Sequence, residues 1–195
     1  SRPGRKLPGS VCIWERELSA SEGLEQHKIG DQIVVPATEW VAWVLEACAA
    51  SQRPMALQDI TFSAPTPLGP SGVLAQLSFL PTDQWQIAVR RDSTWQIVAQ
   101  GRTLPATDIE TPPPLPETTH SSAELYRTFE QGGQQYGPRF RCLDQIGLGA
   151  HRESAHGTLH EGSLEGVLDA GLQLRAALAD AGDTLLPFSI DRVVA

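Results

Sequence analysis

Hydrophobic and polar residues alternate in short runs that flank one apolar helical pattern in the first half of the chain. Residues 11–19 (VCIWERELS) alternate in part, which predicts a strand with one buried face. Pro36 suits the start of a helix, and apolar residues then recur at the helical spacing of 3, 4, 7 and 8: Trp40, Val41, Val44, Leu45 and Cys48. Four β-rich runs follow, LQDITFSAPTPL, VLAQLSFLP, QWQIAVRRD and TWQIVAQGRTLP. A long helix followed by an antiparallel meander predicts an α+β fold.

The second half repeats this order of elements after a proline-rich segment. Residues 108–119 (DIETPPPLPETT) predict an extended linker, since each proline removes a backbone donor. SSAELYRTFEQGG predicts a helix capped by Ser121 or Ser122. Residues 139–152 and 153–162 predict strands, residues 168–181 an amphipathic helix, and residues 185–195 the entry to a strand.

Composition narrows the class of protein. The chain has 195 residues, 41% of them hydrophobic, with a net charge of −8, which fits a globular protein with a core and excludes disorder. An acidic chain without a basic stripe disfavours nucleic-acid binding. The longest apolar stretch is interrupted by Glu46 and the first residues are polar, so neither a membrane span nor a signal peptide is expected, and the cytoplasm is the expected location. Cys12, Cys48 and Cys142 are expected to be buried thiols rather than metal ligands.

The sequence around His27 favours a catalytic role for this histidine. It lies in HKIGDQIVVP, just before the predicted helix, and unpaired N–H groups at a helix start suit a developing oxyanion beside a proton-abstracting imidazole. A hydrogen-bonded loop histidine is the simpler alternative. The other histidines are expected to be structural or exposed: His120, His151, His156 and His160.

Asp169 offers the complementary acid. It stands among apolar residues in GVLDAGLQL, on or beside the apolar face of a helix, where burial should raise its pKa and keep a proton for donation. Gln173, one turn later, can hydrogen-bond it. The alternative is an acid that merely favours the positive end of the helix dipole.

Four motifs in order resemble the dehydratase domains of polyketide synthases. HKIGDQIVVP fits HxxxGxxxxP with His27 and Pro36 in register, and YGPRF (residues 136–140) fits YGPxF. DAGLQ (residues 169–173) fits DxxxQ, and residues 186–189 give LPFS. The resemblance implies a double hot dog fold: residues 1–107 as a half that carries the histidine, residues 108–120 as linker, and residues 121–195 as a half that carries the aspartate. Because only six residues follow LPFS, the second half is expected to be incomplete.

The resemblance also implies roles for single residues. His27 would remove the C2 proton of a 3-hydroxyacyl thioester, and Asp169 would protonate the leaving hydroxyl to give water and an enoyl thioester. Tyr136 and Gln173 would orient Asp169 or the water, supported by Pro36 and Gly137, while N–H groups at the start of the helix polarise the thioester carbonyl. The substrate would contact further residues of the motifs: Gly30, Asp31, Val35, Phe140 and Pro187.

Partners follow from the same resemblance. The acyl chain would arrive on the phosphopantetheine of an acyl carrier protein, beside neighbouring synthase domains, with a homodimer left open and with no metal, cofactor, nucleic acid or membrane required. An acidic carrier protein would need a local basic patch, for which the candidates are Arg139, Arg141, Arg152, Arg90 and Arg91.

Three positions depart from the family pattern. Asp31 stands at the glycine position of the first motif, with Gly30 beside it; Leu164 and Glu165 replace the usual His-Pro; and Arg141 replaces a common glutamine. These departures leave open a pyran cyclase, an enoyl isomerase or a non-catalytic scaffold.

Overall fold

The computed structural model describes residues 3–9, 11–105, 119–149, 154–178 and 187–194. The described residues form fourteen strands: β1 Arg5–Leu7, β2 Cys12–Leu18, β3 His27–Ile29, β4 Gln32–Val35, β5 Ala56–Phe62, β6 Thr66–Pro67, β7 Val73–Phe79, β8 Gln84–Arg91, β9 Thr94–Leu104, β10 His120–Ser121, β11 Gln134–Tyr136, β12 Leu143–Leu148, β13 Ala155–Leu159 and β14 Ser189–Val194. They also form three α-helices: α1 Ala37–Ala50, α2 Ser122–Gln131 and α3 Leu164–Ala176. Short 3-10 helices span Ala20–Glu22, Leu24–Gln26 and Pro138–Phe140.

The chain divides into two compact units whose segments alternate along the sequence. The first contains Ser1–Leu24, Val34–Ile109 and Pro187–Ala195, and the second contains Glu25–Ile33 and Glu110–Leu186. A compact unit groups residues by contact, whereas the predicted hot dog halves are segments of sequence. The division at residues 107 and 121 therefore stays a prediction, and the linker, residues 108–120, lies almost wholly outside the described residues.

The first unit is a seven-stranded sheet with one buried helix. The strand order is β1-β2-β7-β8-β9-β5-β14, and every pairing is antiparallel. The predicted helix and the final strand are confirmed. The predicted meander is confirmed for β7, β8 and β9, whereas β5 pairs with β9 and not with β7. The predicted apolar face of α1 is buried as expected, and the buried surface extends beyond it to Ala42, Trp43 and Ala47. A helix with so wide an apolar surface belongs mostly inside a core.

The second unit combines two small sheets with helices α2 and α3. Strands β10, β12 and β13 form an antiparallel sheet, and β3 pairs with β11 on one side and β4 on the other. Ser121 is the α2 cap, its hydroxyl accepting from Ala123 N–H. The core of this unit contains Tyr126, Phe129, Cys142, Leu143, Ile146 and Ala170.

Two predicted elements in this unit have wrong bounds. Helix α3 begins at Leu164, four residues earlier than predicted, because the Ser163 hydroxyl caps it by accepting from Gly166 N–H. It also ends earlier than the predicted residue 181, at Ala176, and residues 177 and 178 form a turn. The predicted strand 139–152 is confirmed only for β12, since residues 138–140 form a 3-10 turn that redirects the chain.

The cysteine prediction holds for two of three thiols. Cys48 and Cys142 are buried, while Cys12 is half-buried, and all three are free. Among the described helices, none is long and apolar enough to cross a membrane.

Candidate active site

His27 lies on a strand rather than in the loop that the sequence suggested. It begins β3 and is 8% exposed, directly opposite Tyr136 of β11 in the antiparallel register. Its ring meets the Tyr136 ring edge-on with centroids 5.3 Å apart, and the Phe140 ring edge-on at 5.5 Å. A strand between two partners fixes the backbone, and two aromatic rings fix the imidazole plane.

Asp169 lies on α3 and is held by the residue one turn further on. It is 5% exposed, and its Oδ2 accepts a hydrogen bond of 2.8 Å from the Gln173 side-chain amide. The same amide nitrogen donates to the Phe140 carbonyl oxygen at 2.9 Å. The predicted contact between Gln173 and Asp169 is thus present.

The YGPRF segment, residues 136–140, contacts the His27 ring and the Gln173 side chain that binds Asp169. Phe140 places its ring against His27 and gives its carbonyl oxygen to Gln173. Tyr136 packs beside His27, and burial, the nearby Asp169 and Tyr126 all raise its pKa. His27, the segment and Asp169 belong to the second compact unit. One short stretch of chain therefore supports an imidazole and a carboxyl group.

Two hydrogen bonds to Gln26, one to its backbone and one to its side chain, hold this segment in place. Gly137 N–H donates to the Gln26 carbonyl at 2.7 Å, and a Cβ on Gly137 would stand 2.6 Å from Gln26 Cβ, so this position needs glycine. Gln26 Oε1 in turn accepts from Arg139 N–H at 2.8 Å. The residue before His27 is therefore tied to the segment at two points.

The segment is also joined to the start of α3 by an ion pair that the sequence did not suggest. The Arg139 guanidinium donates from Nε to Glu165 Oε1 at 2.8 Å and contacts the same oxygen through a second nitrogen. Burial raises the pKa of Glu165, but hydrogen bonds from Ser163 and the backbone together with Arg139 outweigh burial and leave it below its usual value. The replacement of His-Pro by Leu164 and Glu165 thus supplies the partner for Arg139.

The turn between β3 and β4 accommodates Asp31, which stands at the glycine position of the first motif. Gly30 adopts a left-handed φ of +59° and donates its N–H to Gly133 O at 2.7 Å, whereas Asp31 beside it is exposed. The left-handed φ at position 30 favours glycine, and Asp31 has no positive φ. A carboxylate at position 31 is therefore compatible with the turn.

The other predicted site residues lie in the first unit. Val35 is buried at the end of β4, Pro36 is the N-cap of α1, and Pro187 is half-buried just before β14. Their substrate contacts and the carbonyl-polarising role of the α1 start stay predictions.

The basic patch predicted for a carrier protein has two members that are already paired. Arg139 binds Glu165, and Arg141 binds Glu130 and the Tyr136 carbonyl. Arg152 and His151 lie outside the described residues. Among the described residues, no group of three His, Cys, Asp or Glu side chains is arranged to hold a metal ion.

Comparison with solved structures gives the fold. The dehydratase domain from the CurJ module of curacin polyketide synthase matches with a TM-score of 0.83 and 20% identity, over 98% of this chain and 78% of that one. A trans-AT polyketide synthase dehydratase domain from Brevibacillus brevis matches at 0.81 and 17%, over 97% and 78%. The PpsC dehydratase domain from Mycobacterium tuberculosis, in complex with C12:1-CoA, matches at 0.80 and 19%, over 98% and 80%. The predicted double hot dog fold is confirmed.

Two family models match successive parts of the sequence. The model described as polyketide synthase dehydratase domain matches residues 5–93, and the one described as polyketide synthase dehydratase N-terminal domain matches residues 105–195. No curated relative matches the sequence. The chain belongs to the polyketide synthase dehydratase family and is a dehydratase domain of a polyketide synthase.

Proposed function

We propose that this domain removes water from a 3-hydroxyacyl thioester carried on the phosphopantetheine of an acyl carrier protein, giving a 2,3-enoyl thioester. The observation that carries the proposal is the support of His27 and of the Asp169–Gln173 pair by one segment, residues 136–140. Elimination needs a base and an acid that keep a fixed relation to each other, and a shared support supplies this.

His27 acts as the base and Asp169 as the acid. The imidazole takes the C2 proton, the electrons of that C–H bond form the C2=C3 bond, and the C3–O bond breaks as Asp169 gives its proton to the leaving hydroxyl. Water departs, and proton exchange with solvent restores the neutral imidazole and the carboxylic acid. Gln173 and Tyr136 orient the acid. Proton transfer by such groups contributes roughly 10²- to 10⁴-fold each, and no step needs a resident cofactor.

The base is better enclosed than an ordinary surface histidine. Edge-on contacts with Tyr136 and Phe140 on an ordered strand limit rotation of the imidazole, so its position varies little between turnovers. The low exposure of His27 also limits its contact with bulk water, which strengthens electrostatic interactions of the imidazole.

Two features favour an acid role for Asp169 over a structural one. It lies in the second turn of α3, whereas the Ser163 hydroxyl caps the helix and Glu165 is the acidic residue of the first turn. The side chain is also buried beside Tyr126 and Tyr136, away from the surface where a dipole-stabilising acid is usually found.

The test presents the domain with carrier-protein thioesters of 3-hydroxyacyl chains in both configurations at C3 and follows the acyl chain by mass spectrometry. Dehydration lowers the mass by one water molecule. An isomerase would leave a 3-hydroxyacyl chain unchanged but move the double bond of an enoyl chain, and a cyclase would convert a chain with a distal hydroxyl into a ring. If every 3-hydroxyacyl chain keeps its mass while one of these other products forms, the proposal is wrong.

A further inference from the structure

Tyr126 occupies a position in the second unit that neither the motifs nor the proposed reaction uses. It lies on α2, is 5% exposed and packs in the core against Phe129 and near Tyr136. A tyrosine on the inner face of a helix is ordinarily explained by packing alone. Its hydroxyl, however, lies between two polar partners in the same core.

The hydrogen bonds of this hydroxyl have a defined direction. Leu143 N–H donates to the Tyr126 oxygen at 3.3 Å, so the oxygen acts as an acceptor there. The Tyr126 O–H donates to Gln173 Oε1 at 3.1 Å. Burial raises the pKa of Tyr126 to about 12, so the proton of this O–H is retained over the whole working range of an enzyme.

The orientation of the Gln173 amide follows from chemistry. The Phe140 carbonyl can only accept, so the atom that faces it at 2.9 Å is the amide nitrogen. The amide oxygen must then face Tyr126, which donates to it. The second N–H of the nitrogen reaches Asp169 Oδ2 at 2.8 Å.

We infer that Tyr126 is a positioning residue for Asp169: its hydroxyl, fixed by Leu143 N–H, holds the Gln173 amide so that an N–H points at Oδ2. Without the hydroxyl, the buried Gln173 oxygen loses its hydrogen-bond donor. An unpaired buried acceptor costs free energy, which favours a hydrogen bond from another donor. A protonated Asp169 is such a donor within reach of an amide that rotates. The acid would then give its hydrogen bond to Gln173 in place of the substrate.

Ser122 provides a matched control on the same helix. It lies one turn before Tyr126, is also buried, and its hydroxyl donates to the Leu143 carbonyl at 2.6 Å. Both hydroxyls tie α2 to the backbone of Leu143, but the structure gives only Tyr126 a bond to Gln173. Ser122→Ala therefore removes the tie to β12 and leaves the orientation of the amide intact.

The test compares Tyr126→Phe and Ser122→Ala in steady-state turnover of the carrier-bound substrate, and it rests on the proposed function. We expect Tyr126→Phe to lower kcat about tenfold or more with KM changed less than about twofold, a part of the 10²- to 10⁴-fold that a general acid contributes. Ser122→Ala should keep kcat within about twofold. In a Gln173→Ala background, Tyr126→Phe should change kcat less than about twofold, because the amide through which it acts is gone. Equal kcat for the two single variants, or full additivity with Gln173→Ala, would overturn the inference.

A second readout does not depend on activity. The side-chain amide protons of Gln173, observed by nitrogen-15 NMR, should exchange with solvent faster in Tyr126→Phe than in Ser122→Ala. Unchanged exchange in Tyr126→Phe would overturn the inference even in a domain that releases no water. A wild-type domain that releases no water would refute the proposed function alone.

Discussion

The close packing of α3 against the YGPRF segment can be tested with one added methyl group. A Cβ on Gly166 would overlap the Arg139 carbonyl oxygen and stand 3.0 Å from the Cys142 sulfur. Because the first neighbour is backbone, it cannot rotate away, and the helix must move from the segment. Gly171 in the same helix is the control, since a Cβ there meets nothing within 4 Å.

Substitution by alanine should change the free energy of unfolding in opposite directions at these two glycines. Alanine is favoured over glycine inside a helix by about 1 kcal/mol, so Gly171→Ala should stabilise the domain by up to about that amount. Overpacking costs about 1 to 3 kcal/mol, which exceeds the helix gain, so Gly166→Ala should be destabilising by about 1 kcal/mol. At about 2 to 4 °C per kcal/mol for a domain of this size, the two melting temperatures should differ by roughly 6 °C.

Turnover gives the second part of this test. Asp169 follows Gly166 by three residues, so a displaced helix start shifts the acid relative to residues 136–140. A misplacement of about 1 Å can lower a rate by about 10²-fold, so kcat of Gly166→Ala should fall well below that of Gly171→Ala. Thermal unfolding and carrier-bound turnover measure both effects. Equal stabilisation and equal activity of the two variants would refute the close packing on which the site geometry depends.

Two further predictions concern the departures from the family pattern. Because the pKa of Glu165 is lowered in the folded domain, the Arg139–Glu165 pair contributes stability above the unfolded pKa of about 4.3, and this stability is lost as the pH falls through the folded pKa. Glu165→Gln should thus be destabilising at pH 7 and less so once the pH has fallen through the folded pKa of Glu165, in urea unfolding across pH; a pH-independent difference would contradict the ion pair. Gly30→Ala forces an alanine into φ +59° and should be destabilising by about 1 to 2 kcal/mol, whereas Asp31→Gly should leave the melting temperature nearly unchanged; equal effects on melting at the two positions would contradict the turn geometry.

Local patterns predicted most elements because they depend on neighbouring residues. The apolar spacing after Pro36 and the alternating runs marked α1 and the meander, and four motifs marked the family. Helix α3 was predicted to begin too late because the Ser163 cap and Gly166 interrupt the apolar pattern, although Ser163 followed by helix-forming residues is itself a start signal.

The missed parts of the site depend on contacts between distant residues. Arg139 and Glu165 are 26 residues apart, and no local rule pairs them. Tyr126 and Gln173 are 47 residues apart, and a tyrosine three residues before Phe129 fits the apolar face of α2 without further explanation. His27 was expected in a loop because β3 has only three residues, and its partner strand β11 lies more than one hundred residues later.

The central claim is that His27 and Asp169 form one acid–base pair, and single substitutions at each test it most directly. Turnover of a 3-hydroxyacyl carrier-protein thioester is measured by mass for the wild type, His27→Ala and Asp169→Asn, with the melting temperature of each variant as the control for folding. We predict that the wild type removes one water molecule from the substrate and that neither variant does so at a temperature where it is folded. A folded Asp169→Asn domain that dehydrates its substrate at the wild-type rate would contradict the account.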